Sequence, residues 1–178
     1  MKESRGISIS GSELFEREVE AALELLSRSA GFANCIVGNI EKIIENRTLL
    51  SGGSMKLNRE RGIAELRLPD ARTESELRLF FLACTIAHEA FHNELFKRLV
   101  AEHGERGYLQ MWKSVPWRIE RQCVEYEIEI ATELKFPIEV IENIKTGRGL
   151  SVHDELLPEQ RRMLGRSIRN LRTMPDQE

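Results

Sequence analysis

The residues Leu79 to Ala87 read LFFLACTIA and run straight into His88-Glu89-Ala90-Phe91-His92. A helix that is apolar on every side is buried on every side. Thr73 and Glu76 form a capping box ahead of it, and helical pattern continues to about Glu102, where Gly104 and Gly107 end or interrupt it. This segment is therefore the central helix of whatever the chain folds into. Two histidines four residues apart on it lie one above the other on one face. An apolar helix has little reason to carry His, Glu and His unless something satisfies them.

The rest of the chain arranges itself around that helix. Phe15, Val19, Ala22, Leu23 and Leu26 share one face of a helix over 13–27, with Ser10 and Glu13 as a possible capping box. The spacing in 39–46 (NIEKIIEN) predicts a second, short helix, and Phe32 to Val37 is compatible with a strand. Ser54 to Leu57 and Ile63 to Leu68 alternate in and out around the polar turn 58–62, which predicts a hairpin or two strands of a small sheet. Pro116 opens a helix that closes at Phe136, before Pro137. Shorter helices follow at 138–145 and from about Pro158 to Arg172. The expected fold class is α+β and mainly helical: a small antiparallel or mixed sheet packed on the central helix, with C-terminal helices. Residues 1–146 form the domain, and 147–178 a helical extension packed on it.

Composition agrees and excludes other classes. Of 29 acidic residues 26 are Glu, and Glu tolerates helices where Asp does not. No apolar run reaches the roughly 18 residues of a membrane span, and the first residues hold no secretory h-region. Cys35, Cys84 and Cys123 cannot all pair and read as reduced thiols of a cytoplasmic protein, with signal-independent export still compatible. A net charge of −3 leaves no global nucleic-acid footprint. The arginines of the last helix, Arg161, Arg162, Arg166, Arg169 and Arg172, could touch nucleic acid, but read more simply as a solvated face, with no aromatics between them.

HExxH spacing lets His88 and His92 bind one tetrahedral zinc ion, while Glu89 flanks the metal and takes a proton from zinc-bound water. By chance the pattern would arise in roughly one such chain per hundred, so its context on a buried helix matters. The metzincin extension is absent: Leu95 stands where Gly is required and Arg98 where a third His would be. A third ligand must come from elsewhere. On a helical wheel of 117–136, Tyr126, Ile119, Ile130, Cys123, Leu134, Ala131 and Val124 make one apolar arc, and Glu120 and Glu127 lie inside it. Glu125, Glu129 and Glu133 lie on the other side. Two inward acids are costly unless paired or bound to metal.

At this point the stretch 52–134 resembles the minimal gluzincin pattern: a small sheet, a helix with HExxH, then a later helix whose E-x-x-A supplies the third ligand. Glu120-Arg121-Gln122-Cys123 fits it with Cys123 in place of the usual Ala. The chain is similar to the compact zincins of the ImmA/IrrE type and of bacterial toxin domains. Those commonly follow the acid with an LLMP-like end, echoed by Leu134-Lys135-Phe136-Pro137 at a spacing that suits Glu127 slightly better than Glu120. The resemblance implies a zinc metallopeptidase acting on a peptide or protein. Glu120 is the favoured ligand, with Glu127 orienting a histidine; Glu127 as ligand, or in an ion pair with an Arg, stays open. His103-Gly104, Tyr108 and Met111-Trp112 are similar to the SprT-like metallopeptidases, which act on DNA-attached proteins; that resemblance makes His103 an alternative third ligand. Gluzincins often stabilise the oxyanion from a later element, for which His153, Tyr108 and Tyr126 are the available donors. Ile63 to Leu68 is the expected edge strand for an extended substrate. A non-catalytic zincin-like module that binds a protein partner is the alternative from a different class.

Overall fold

Short alternating strands at both ends of a sheet, closed over by long helices, are what the apolar pattern builds. The computed structural model describes residues 2–47, 54–58, 61–69 and 77–147. Lys2–Ser4 (β1) and Ile7–Ser10 (β2) form a hairpin through Arg5 and Gly6, both at positive φ, the backbone that a two-residue hairpin turn requires. Helix α1 (Glu13–Leu26) then carries the chain to β3 (Ile40–Asn46), which pairs parallel with β2. Strands β4 (Ser54–Asn58) and β5 (Ile63–Pro69) pair antiparallel, and β5 lies parallel to β3. The result is a five-stranded mixed sheet in the order β1-β2-β3-β5-β4. Three helices account for the remainder: α2 (Arg78–Ser114), α3 (Pro116–Glu133) and α4 (Ile138–Gly147). The chain is thus an α+β protein.

The core lies between one face of the sheet and the helices. Ile7, Ile9, Ile40, Ile43, Leu66 and Leu68 from the strands meet Phe15, Val19, Leu23, Ala83, Ile86 and Ala87 from α1 and α2. Helix α2 is fastened to the sheet by polar contacts as well. The buried Asn93 amide donates to the carbonyls of Asn39 and Gly62, each at 3.0 Å. Lys97 Nζ donates to Gly38 O at 2.9 Å. These bonds fix how far α2 is rotated and slid over the turns that precede β3 and β5, and so where its histidines point.

Several expectations need correction. Residues 39–46 are not a helix but strand β3. Ile40 and Ile43 are both buried, at a helix-like spacing of three. A register shift between Ile40 and Lys42 explains this: a bulge puts one extra residue into β3, so two residues three apart share a face. Phe32–Val37 is a π-helical turn rather than a strand, with Phe32, Cys35 and Ile36 inward. The cap of α1 is Ser12, whose Oγ accepts from Phe15 N at 3.3 Å, because Ser10 is still paired in β2. Ile63 to Leu68 is not an edge: β5 is flanked by β3 and β4, and β4 is the edge on that side.

Helix α2 begins at Arg78; the Thr73–Glu76 box lies outside the described residues. It also runs past Glu102, broken at Gly104, whose φ of 70° and ψ of 167° no helix allows. The arm after the break turns back, since Trp112 reaches the ring of His92. Helix α3 begins with Pro116 in its first turn but ends at Glu133, three residues before the Phe136 expected from Pro137. Lys135 adopts positive φ and Phe136 N donates to Ala131 O at 2.8 Å, the Schellman closure. The basic helix expected after Pro158, the extension 147–178 and His153 fall beyond the last fully described residues. Among the described residues no helix is long and apolar enough to cross a membrane.

Candidate metal centre

His88 and His92 stand one turn apart on α2, and α3 crosses them with Glu120, Cys123 and Glu127 on its facing side. His88 is buried, at 4 % exposure, and its two ring nitrogens have different partners. Nδ1 is 3.2 Å from Oε2 of Glu127, a carboxylate with no exposed surface at all. An ionised carboxylate only accepts, so beside an ionised Glu127 the hydrogen sits on Nδ1 and a neutral ring turns its Nε2 lone pair the other way. That lone pair meets His92 Nε2 at 3.2 Å and Glu120 Oε2 at 3.5 Å. His92 Nε2 is in turn 3.4 Å from Glu120 Oε1.

Two imidazole nitrogens and a carboxylate therefore converge: the nitrogens are 3.2 Å apart, and the carboxylate reaches His92 through Oε1 at 3.4 Å and His88 through Oε2 at 3.5 Å. Three acceptor groups converging this closely need a shared proton or cation. A tetrahedral zinc ion with nitrogen and oxygen donors at about 2.0–2.1 Å requires edges of about 3.3–3.4 Å. The donor types and their separations both fit such an ion. The longer edges belong to Glu120, which is the more exposed partner at 40 % and can adjust.

Electrostatics follow from this arrangement. Burial alone would push the Glu120 carboxyl up, but when the two imidazoles carry the shared protons, their hydrogen bonds and charges reverse that and hold it well below the usual carboxylate range. Cys123 is fully buried, and its Sγ lies within 4.8 Å of the ligand atoms of His88 and His92. Burial pushes its thiol up, and the charges of Glu120, Glu89 and Glu127 push further in the same direction. Glu89 is half-buried, and its carboxylate is near enough to act on that thiol.

The residues singled out from the sequence are placed as follows. His88, His92, Glu120 and Glu127 come together, with Glu120 on the Nε2 side and Glu127 on the Nδ1 side. His103 does not join them: its ring is exposed, with Nε2 3.6 Å from Oε2 of its neighbour Glu102. Eleven residues of helix put it roughly 16 Å along the axis from His92. Tyr108 packs edge-on against Phe96 and stacks towards Trp112, in the wall formed by the returning arm. Tyr126 lies flat on Phe91 with ring centroids 4.3 Å apart, and its hydroxyl is directed to Cys35 and the turn at Gly31.

Two neighbours of the centre were not singled out for it by sequence. Trp112 lies with its ring centroid 6.0 Å from that of His92, brought there by the reversal at Gly104. No local signal marks it. Cys123 did carry one, its position three residues after Glu120 on the same helical face. No family model, curated protein or solved structure matches the chain. The functional reading therefore rests on the site.

Proposed function

We propose that the chain is a zinc-dependent metallopeptidase of minimal zincin type, with His88, His92 and Glu120 as the metal's protein ligands and Glu89 as general base. The observation that carries this is the convergence of His88 Nε2, His92 Nε2 and the two Glu120 oxygens at 3.2–3.5 Å, separations close to the donor–donor edges of a tetrahedral zinc site. Bound there, zinc would supply Lewis acidity toward water and a scissile carbonyl.

The chain's own residues do the remaining work. Glu127 accepts the Nδ1 hydrogen of His88, which fixes the tautomer and turns Nε2 toward the centre. Glu89 follows His88 directly on α2 and flanks the pair. It takes a proton from the attacking water and delivers it to the leaving amine, the two halves of general acid–base catalysis. Trp112 and Tyr108 wall the His92 side with aromatic surface, which limits water there. Strand β4, the sheet edge among the described residues, would offer its outer backbone groups to an extended peptide. A peptide or protein is therefore the proposed substrate. The cytoplasm remains the proposed location, since an odd number of cysteines, Cys35, Cys84 and Cys123, cannot all pair with one another.

Glu89→Gln keeps the shape of the site and removes the base. We expect one equivalent of zinc to be retained and hydrolysis of a labelled, denatured protein to fall by about 10²–10⁴-fold. Retained hydrolysis in that variant overturns the mechanism.

A further inference from the structure

Cys123 follows Glu120 by three residues on α3, so both project from the same side of that helix. Its far side packs with Leu95, Leu99 and Ile119, as a buried cysteine ordinarily does. Its near side is different. The sulfur lies within 4.8 Å of the ligand nitrogens of both histidines, and the charges of Glu120, Glu89 and Glu127 all reach it. A thiol that only packs has no need to stand beside two imidazole nitrogens in the field of three carboxylates.

The distances decide what this sulfur can do. A tetrahedral zinc ion with nitrogen donors at about 2.0–2.1 Å and sulfur at about 2.3 Å has nitrogen–sulfur edges of roughly 3.6 Å. The sulfur–nitrogen separations, at most 4.8 Å, exceed that edge by no more than about 1.2 Å. His88, His92, Glu120 and Cys123 would together make a closed two-nitrogen, one-oxygen, one-sulfur set. Thiolate also favours zinc over the hard cations magnesium, calcium and manganese.

We propose that Cys123 is a fourth donor to the ion held by His88, His92 and Glu120, so that the site rests closed and hydrolysis waits until the sulfur withdraws. This rests on the zinc reading above. When the sulfur ligates, the S–H bond breaks, a sulfur–metal bond forms and the proton passes to solvent. When it withdraws, the sulfur takes up a proton again and leaves one coordination position to water. The closed set is the arrangement of structural zinc sites, and the three-donor set that of catalytic ones. One residue thus separates the two.

X-ray absorption at the zinc edge, on the full chain loaded with one equivalent of zinc, tests this without relying on activity. The expected result is one sulfur at about 2.3 Å beside nitrogen and oxygen donors. Cys123→Ala should still load one equivalent, lose the sulfur shell and hydrolyse a labelled, denatured protein at least several-fold faster. Cys123→Ser serves as the second variant should the alanine protein fold poorly, and the wild-type sulfur shell needs neither. Bound zinc with only nitrogen and oxygen neighbours in the wild type overturns the inference and leaves the zinc site standing. A sulfur shell with no gain in hydrolysis in either variant overturns the gating. Failure of the wild type to bind zinc overturns the proposed function along with it.

Discussion

Glu127 separates a metal centre from a merely structural polar cluster. Its carboxylate has no exposed surface, and it accepts the Nδ1 hydrogen of His88 at 3.2 Å. Glu127→Gln keeps an acceptor oxygen on a side chain of the same shape and removes the negative charge. A hydrogen bond to a charged group contributes about 1.5–3 kcal/mol and a neutral one about 0.5–1.5 kcal/mol, so the change weakens the support of His88 by roughly 1.4 kcal/mol. That corresponds to about tenfold weaker zinc binding, at the lower end of the 10–100-fold range for partners of metal-bound histidines. Without metal the balance is different. A buried carboxylate is expensive to desolvate, and neutralising it is close to neutral or mildly stabilising.

The two effects have opposite consequences, which makes the test sharp. Zinc affinity is read by competition with a chromophoric chelator, and stability by thermal melts with and without zinc. We expect the metal-free Glu127→Gln melt to match the wild type or to exceed it slightly. The rise on adding zinc should shrink by about 3–6 °C, since 1 kcal/mol moves a chain of this size by about 2–4 °C. Wild-type zinc affinity combined with a collapse of the metal-free protein would refute the reasoning and make Glu127 a structural ion-pair partner.

Three further outcomes follow from the fold. Gly104→Ala puts a side chain on a backbone at φ 70° and ψ 167°, with nothing within 4 Å of its Cβ, so the cost is backbone strain alone. We expect a loss of about 1–3 kcal/mol in urea unfolding, and a change in tryptophan fluorescence as Trp112 leaves His92. Asn93→Ala strips donors from the carbonyls of Asn39 and Gly62, and should cost about 2–4 kcal/mol in the same assay. Burial pushes the Cys35 thiol up from 9.0 to about 11, against a smaller lowering from Tyr126. The fold favours the neutral thiol, so this contribution is complete below about pH 9 and is lost as pH rises through about 11. Cys35→Ala should flatten the wild-type decline in unfolding free energy across that window, and an unchanged slope would contradict the assignment.

Much of the central architecture was legible in the chain because its signals are local. The apolar run into His88-Glu89-Ala90-Phe91-His92 specifies a buried helix, and i,i+4 spacing places the two histidines together whatever else surrounds them. Pro116 and Pro137 bracket α3 through constraints on their own and neighbouring backbone. Sorting the glutamates of that helix by face separates Glu120 and Glu127 from Glu125, Glu129 and Glu133. Local periodicity failed at β3, where a bulge gave a strand the spacing of a helix. It also could not rank β5 and β4, because which strand is the edge depends on pairings between distant segments.

What only the tertiary structure decided is the division of labour around the histidines. The packing of α3 across α2 turns Glu120 to the Nε2 side and Glu127 to the Nδ1 side, and it brings Cys123 to within 4.8 Å of both rings. The break at Gly104 returns Trp112 to the site and leaves His103 with Glu102. The physical reason is range. Propensity, capping and helical phase act over a few residues and are written in the chain. The meeting of two helices at the site is set by side-chain packing between residues about 28–39 positions apart, from His92 with Glu120 to His88 with Glu127, which no local pattern encodes.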